Sequence, residues 1–280
     1  MKIAISLDSA CDASEEVKNE YGFSVVPFGV TMGDRFFYDG EVDTLEIFAY
    51  ADAHKTLPKT NAVNEEQFNE HFKKLLETND AVIHFDISSD MSSAYNNAVN
   101  SAKNFKNVYV IDSRTLSTGI TLEAIYAKKL ADKGLAPEEI VEKVKARIPA
   151  VQASFVIERL DYLYKGGRCS GLALLGANLL RIRPEIEVID GNMKNTEKFR
   201  GKMADCVTKY CRGTLEKYCH PDKSVIFITH SVADAELVEA AKAVVAEYGF
   251  ENVYETTAGC TVSSHCGKNT LGILYINDAE

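Results

Sequence analysis

No apolar run in the sequence approaches the roughly 20 residues needed to cross a bilayer. The longest, Gly171 to Leu180, is followed at once by Arg181. Basic residues are not in excess: 31 Lys and Arg against 41 Asp and Glu leave a formal charge of −10. That argues against broad nucleic-acid binding, which needs a basic surface, though a small local anion site is compatible with it. The chain opens on Met1-Lys2 and enters a strand-like segment directly, so no signal peptide is expected. Its seven cysteines are irregularly placed and form no CxxC pair, which fits reduced thiols in a cytoplasm. No HxH or HExxH spacing is present; Cys219-His220, with Cys206 and Cys211 upstream, is the nearest approach to a metal site and is poorly spaced for one. A phosphate-binding GxxxxGK[ST] loop is missing too. The basic, Gly-rich Lys165-Gly166-Gly167-Arg168 follows a helical pattern rather than a strand, so no nucleotide cofactor is expected.

What is present is an ordinary globular composition, 46% apolar and 26% charged over 280 residues. That length suggests two domains, which we place at residues 1–150 and 151–280. The first half alternates short apolar runs (Ile3–Leu7, Ser24–Phe28, Ala81–Phe85, Val108–Ile111) with helical patterns, among them an amphipathic stretch capped by Asn64. Arg35 to Tyr38 adds a possible strand, with Asp39-Gly40 as its turn. The order β-α-β-α predicts an α/β fold with a mostly parallel sheet flanked by helices. The second half predicts strands at Val151–Ile157, Glu185–Ile189, Ser224–Thr229, Asn252–Thr256 and Leu271–Ile276, with helices at Gly201–Tyr218 and Ala233–Tyr248, as an α/β domain with a mixed sheet. Asp190-Gly191 is a hairpin signal.

Three strand ends share one chemistry: Asp8-Ser9, Ser88-Ser89 and Asp112-Ser113. Ligands of open α/β sheets sit outside the carboxyl ends of strands, but Ser and Asp there also cap the next helix. Arg168, beside two glycines, could fork onto a carboxylate or phosphate. Cys260, His265 and Cys266 lie close in sequence and could make a thiolate nucleophile, although no third orienting group is identifiable. Leu172, Leu174, Leu175, Leu179 and Leu180 could line an apolar site or belong to a helix core.

At these residues the sequence resembles the DegV family. Asp8-Ser9-Ala10-Cys11-Asp12 is similar to its DSxxD opening, as are Val26-Pro27 and Tyr38-Asp39-Gly40 to the segments that follow. Ile87 to Tyr95 resembles ISSxLSGTY, and Val110 to Gly119 resembles VIDSxxxSxG. Leu160 to Ser170 is similar to LxYLxKGGRIS, the most specific of the set. Arg183-Pro184, Asp190-Gly191 and His265-Cys266-Gly267 with Gly272 complete the order.

The resemblance implies a two-domain α/β protein that holds one long-chain fatty acid in a buried pocket. It implies the acyl-binding subunit of a bacterial fatty acid kinase, whose separate kinase subunit phosphorylates the bound carboxylate for phospholipid synthesis. The binding protein itself is then no enzyme and needs no cofactor or metal. By position the carboxylate-binding Thr falls on Thr60 and the Ser on Ser92, with Arg168 and His265 near the acid head. The alternative is a thiol-dependent acyl hydrolase using Cys260 or Cys266 with His265. A third reading, by analogy with dihydroxyacetone kinase and sugar-transport domains, is a small polar ligand. The sequence departs from the pattern at Ser93 and Ala94, where the family has Gly-Thr, and at Lys268-Asn269, where it has Pro-Gly. Ser93 then brings a Cβ close to the ligand, and Lys268 a positive charge near the presumed mouth.

Overall fold

The computed structural model describes residues 1–169 and 182–279. The leucines at 172, 174, 175, 179 and 180, and Ser170 of the Gly-rich motif, lie outside these described residues.

The strands of the first half pair as expected. β1 (Ile3–Asp8), β2 (Ser24–Val26), β6 (Ala81–Asp86) and β7 (Val108–Asp112) form a parallel sheet in the order β2-β1-β6-β7. Both faces of β1 and β6 are covered, so their sequences are near-continuous apolar runs rather than alternating ones. α3 (Glu65–Leu76) carries the capping box read from the sequence: Asn64 accepts from the Gln67 amide while the Gln67 side chain accepts from Asn64. Phe68 and Phe72 on its apolar face are fully buried.

A second sheet was only partly foreseen. Between β2 and α3 the chain builds β3 (Gly29–Met32), β4 (Arg35–Tyr38) and β5 (Lys59–Asn61), an antiparallel sheet in the order β4-β3-β5, with α2 (Thr44–His54) inserted before β5. Only β4 was expected. Thr60 therefore sits on a strand, opposite Val30.

The second half is a six-stranded mixed sheet. β8 (Val151–Val156), β9 (Ile182–Ile189), β10 (Asn192–Arg200), β11 (Ile226–Ser231), β12 (Val253–Thr257) and β13 (Thr270–Ile276) run in the order β10-β9-β8-β13-β11-β12. Among these six described strands only β11 and β12 pair in parallel. The turn joining β9 to β10 puts Asp190 at φ 52° and Gly191 at φ 79°, the left-handed pair that a tight hairpin requires. α8 (Met203–Lys217) and α9 (Ala235–Val245) cover one face with Tyr210, Cys211 and Val244 among the buried residues. α5 (Thr118–Asp132) lies between the two larger sheets: one apolar core joins its Ile120 and Ile125 to Ile5 and Ile83 on one side and to Ala153, Phe227 and Leu274 on the other. Among the described residues no helix is long and apolar enough to cross a membrane.

Candidate functional site

The strand-end residues spend their polar groups on the frame. Asp8 accepts hydrogen bonds from the amides of Ala10 (2.8 Å) and Ile87 (2.7 Å). The Ser89 hydroxyl donates to Asp112 (2.5 Å), and that of Ser88 donates to the carbonyl of Gly191 (2.8 Å), tying the β9–β10 hairpin to the first sheet. These residues position loops; of the three strand ends, only Asp8 caps a following turn, and the expectation that Ser88-Ser89 and Asp112-Ser113 cap the next helices is not met, since the N-caps there are Ser93 and Ser117.

The four residues proposed from the sequence come together elsewhere. Thr60, Ser92, Arg168 and His265 all line one cavity of about 230 Å³, whose other walls include Phe28, Ile87, Met91, Leu116, Met193 and Val262. Thr60 arrives on β5. Ser92 stands just before α4 (Ala94–Ala102), its Oγ accepting from the Ala94 amide at 3.2 Å. Arg168 follows α7 (Leu160–Gly166), where Gly167 at φ 69° turns the chain out of the helix. It is exposed, and its guanidinium donates to the carbonyl of Gly166 at 2.6 Å. His265 is the penultimate residue of α10 (Cys260–Cys266), a helix absent from the sequence-based expectation.

Distances within the site decide which donors are free. Nε2 of His265 lies 2.9 Å from the hydroxyl of Thr60. Burial, with a smaller contribution from Arg168, lowers its pKa from 6.5 to about 4, so the ring is neutral at pH 7 and carries one proton. Nδ1 is buried without a partner among the described residues. Gly166 faces it, and a Cβ built there would lie 2.4 Å from that nitrogen. A bare buried lone pair costs less than a bare buried N–H, so the proton belongs on Nε2 and is donated to Thr60. Among the described residues the hydroxyl hydrogen of Thr60 then has no acceptor, and neither has that of Ser92, whose oxygen already accepts from Ala94. The cavity thus has apolar walls, the hydroxyls of Thr60 and Ser92 together with those of Ser93 and Thr261, the last without a partner among the described residues, and an arginine at its rim. That combination suits an amphiphile with an anionic head.

Two other voids differ in character. One of about 30 Å³ shares Leu116, Val262 and Cys266 with the first and extends past them toward Phe155. A larger cleft of about 360 Å³ opens where β8 and β9 part, beside Gln152, Glu187 and Tyr218. One of its two carboxylates is already engaged: Glu187 accepts from Lys217 (2.6 Å) and Tyr218 (3.0 Å). Size alone would favour that cleft, which has apolar walls of its own in Ile148, Val151 and Val188, but it holds none of the four residues picked out by the sequence.

The departures from the family pattern have plain accounts. Ser93 lines the cavity, as expected of a side chain there, and has φ −77°, an ordinary helical value that needs no glycine. Lys268 is not among the residues lining the cavity; it pairs with Asp234 at 3.2 Å, which corrects the expectation of a charge at the mouth. Asn269 adopts φ 62°, which Asn tolerates, and donates to Glu158 at 2.7 Å. The thiols of Cys260 and Cys266 are buried. Burial raises Cys260 to about 11 and Cys266 to about 12, so both stay protonated at neutral pH. The Cys260 thiol donates to the Val42 carbonyl at 3.2 Å.

Comparison with known proteins agrees with this architecture. A family model described as an uncharacterised protein of the DegV family matches residues 2–278. The chain belongs to the DegV family. A DegV domain-containing protein of Clostridium acetobutylicum is 30% identical over 280 residues, covering 98% of each chain. A fatty acid-binding protein of Thermotoga maritima is 28% identical, covering 97% of this chain and 96% of the other. Among solved structures, a DegV family protein from Thermus thermophilus, described for its fatty acid binding, superposes with a TM-score of 0.91 at 23% identity, covering 99% of this chain and all of the other (100%). A hypothetical protein from Thermotoga maritima, described as revealing a fatty acid binding function, gives a TM-score of 0.83 at 27% identity, covering 99% and 100%. The α/β architecture, parallel first sheet and mixed second sheet are therefore those of the DegV fold.

Proposed function

We propose that this protein binds a long-chain fatty acid, with its tail in the apolar cavity and its carboxylate on the hydroxyls of Thr60 and Ser92. Arg168 and His265 stand at the head. The observation that carries this reading is the cavity in which apolar walls meet the hydroxyls of Thr60 and Ser92 beside Arg168 and His265. The two parts of the ligand do different work. Burying some 14 methylenes at about 0.8 kcal/mol each gives a gross gain of about 11 kcal/mol, part of which ordering and association remove. The carboxylate adds orientation, since an unpaired buried charge costs several kcal/mol.

Neither hydroxyl can serve as a base, and His265 with its lowered pKa is a poor one. We therefore assign no chemistry to this chain alone. Its role in this reading is to present the acid head, beside Arg168, to a separate cytoplasmic kinase that makes the acyl phosphate for phospholipid synthesis. Residues 1–150 and 151–280 would be the two domains that enclose the ligand. The fatty acid relatives and neighbours support the lipid; the kinase step rests on the family resemblance and on the exposed Arg168. The test is ATP-dependent formation of a hydroxylamine-trappable acyl group on loaded protein. It should require an added kinase subunit, and turnover by this protein alone would refute the assignment.

A further inference from the structure

The N-cap of α10 is Gly259, which has no side chain to occupy the free N–H groups of the first turn. A carboxylate from more than two hundred residues away does so instead. Asp39 accepts from the Cys260 amide (2.7 Å) through Oδ1 and from the Thr261 amide (3.1 Å) through Oδ2. The Ser9 hydroxyl holds Asp39 in turn, donating to Oδ2 at 3.1 Å. Asp12 takes the Gly259 amide at 2.8 Å and is itself held by the Ser117 hydroxyl. Gly259 permits this approach: a Cβ there would stand 3.0 Å from Oδ1 of Asp39.

Asp39 directly follows β4, which pairs with β3, which pairs with β5 and so with Thr60. The small sheet therefore grips α10 at both ends, through Asp39 on its first turn and through Thr60 on His265 in its last. We propose that Asp39 is a positioning residue that sets the contact between His265 and Thr60 and thereby aims the Thr60 hydroxyl at the ligand head. The proposal rests on the reading of Thr60 as a carboxylate donor. It gives the Asp39 turn, and the Ser9 and Asp12 of the first strand end, a part in recognition without touching the ligand. Releasing the first turn of so short a helix lets its far end shift, and the 2.9 Å contact between Thr60 and His265 loosens.

Asp39→Asn keeps the shape but loses the charge and one acceptor. Gly259→Ala pushes the same carboxylate away by a few tenths of an ångström, and serves should the first variant not fold. Two measurements apply to each: the imidazole nitrogen signals of His265 in ¹⁵N-labelled protein, assigned by their loss in His265→Gln, and the affinities for palmitic acid and 1-hexadecanol. The proposal expects altered His265 signals, roughly a tenfold loss for the acid and a loss within about twofold for the alcohol, as befits a weakened bond to a charged head. Equal losses for both ligands, or unchanged His265 signals, would overturn it. Should the wild-type protein bind neither ligand, the fatty acid reading fails, and the His265 signals alone judge the positioning role.

Discussion

One methyl group tests the geometry of the site. Gly166 is the last residue of α7 and has no left-handed φ, so Gly166→Ala is allowed by the backbone and gains up to about 0.5–1 kcal/mol of helix propensity. The new Cβ would lie 2.4 Å from Nδ1 of His265 and 3.4 Å from its Cγ. Ordinary contact requires the imidazole to retreat by about 1 Å, and overpacking of this kind costs about 1–3 kcal/mol. A ring moved that far cannot keep its 2.9 Å bond to Thr60. The two stability effects oppose, so the melting temperature should fall only slightly. Fatty acid affinity should fall about fivefold, the worth of one hydrogen bond of about 1 kcal/mol. The assay is a double-mutant cycle read by fluorescent fatty acid displacement and thermal melting. In a His265→Ala background the added methyl meets no ring, so Gly166→Ala should leave affinity unchanged and should stabilise. An equal loss of affinity in both backgrounds would refute the contact argument.

Further predictions follow from the same structure. Ser92→Ala should lower fatty acid loading by about 1 kcal/mol or more, whereas Arg168→Ala, altered at the rim, should load normally and fail in kinase-dependent phosphorylation; identical behaviour of the two would reject the division between grip and presentation. Glu123 is buried, and burial, with the nearby Asp112, holds its pKa well above the ordinary value, so it folds protonated. Its contribution to stability is complete below the unfolded pKa near 4.3 and is lost as pH rises toward the folded value, at up to about 1.4 kcal/mol per pH unit. The melting-temperature difference between Glu123→Gln and wild type should therefore shift in favour of the variant from pH 5 to pH 8, and a flat difference would contradict this. Cys260 and Cys266 should react with iodoacetamide far more slowly at pH 7.5 than the exposed Cys219, as judged by peptide mass spectrometry; fast labelling of either would revive a thiol mechanism.

The parallel sheet was readable because β1, β6 and β7 are compact apolar runs ending in Asp. The small sheet was not. Lys59-Thr60-Asn61 has no apolar residue and is a strand only because β3 lies beside it. β10 escaped notice because its sequence is mostly polar, with only Met193 and Phe199 buried, and a bulge between Asn195 and Glu197 breaks the alternation. α10, Cys-Thr-Val-Ser-Ser-His-Cys, contains none of the strong helix formers and is capped from Asp39 and Asp12, so no local signal could reveal it. For the same reason the bond between Thr60 and His265, 205 residues apart, was out of reach. Resemblance to the DegV pattern supplied the four candidate residues; only the fold shows that they share one cavity and which of their hydrogens are free.

The most direct measurement is native mass spectrometry of the protein purified without added lipid, followed by extraction and identification of whatever dissociates. The account predicts one long-chain fatty acid per chain, retained by the wild type and diminished in Ser92→Ala. A lipid-free protein that takes up no acyl chain when offered a mixture of saturated and unsaturated acids would contradict it.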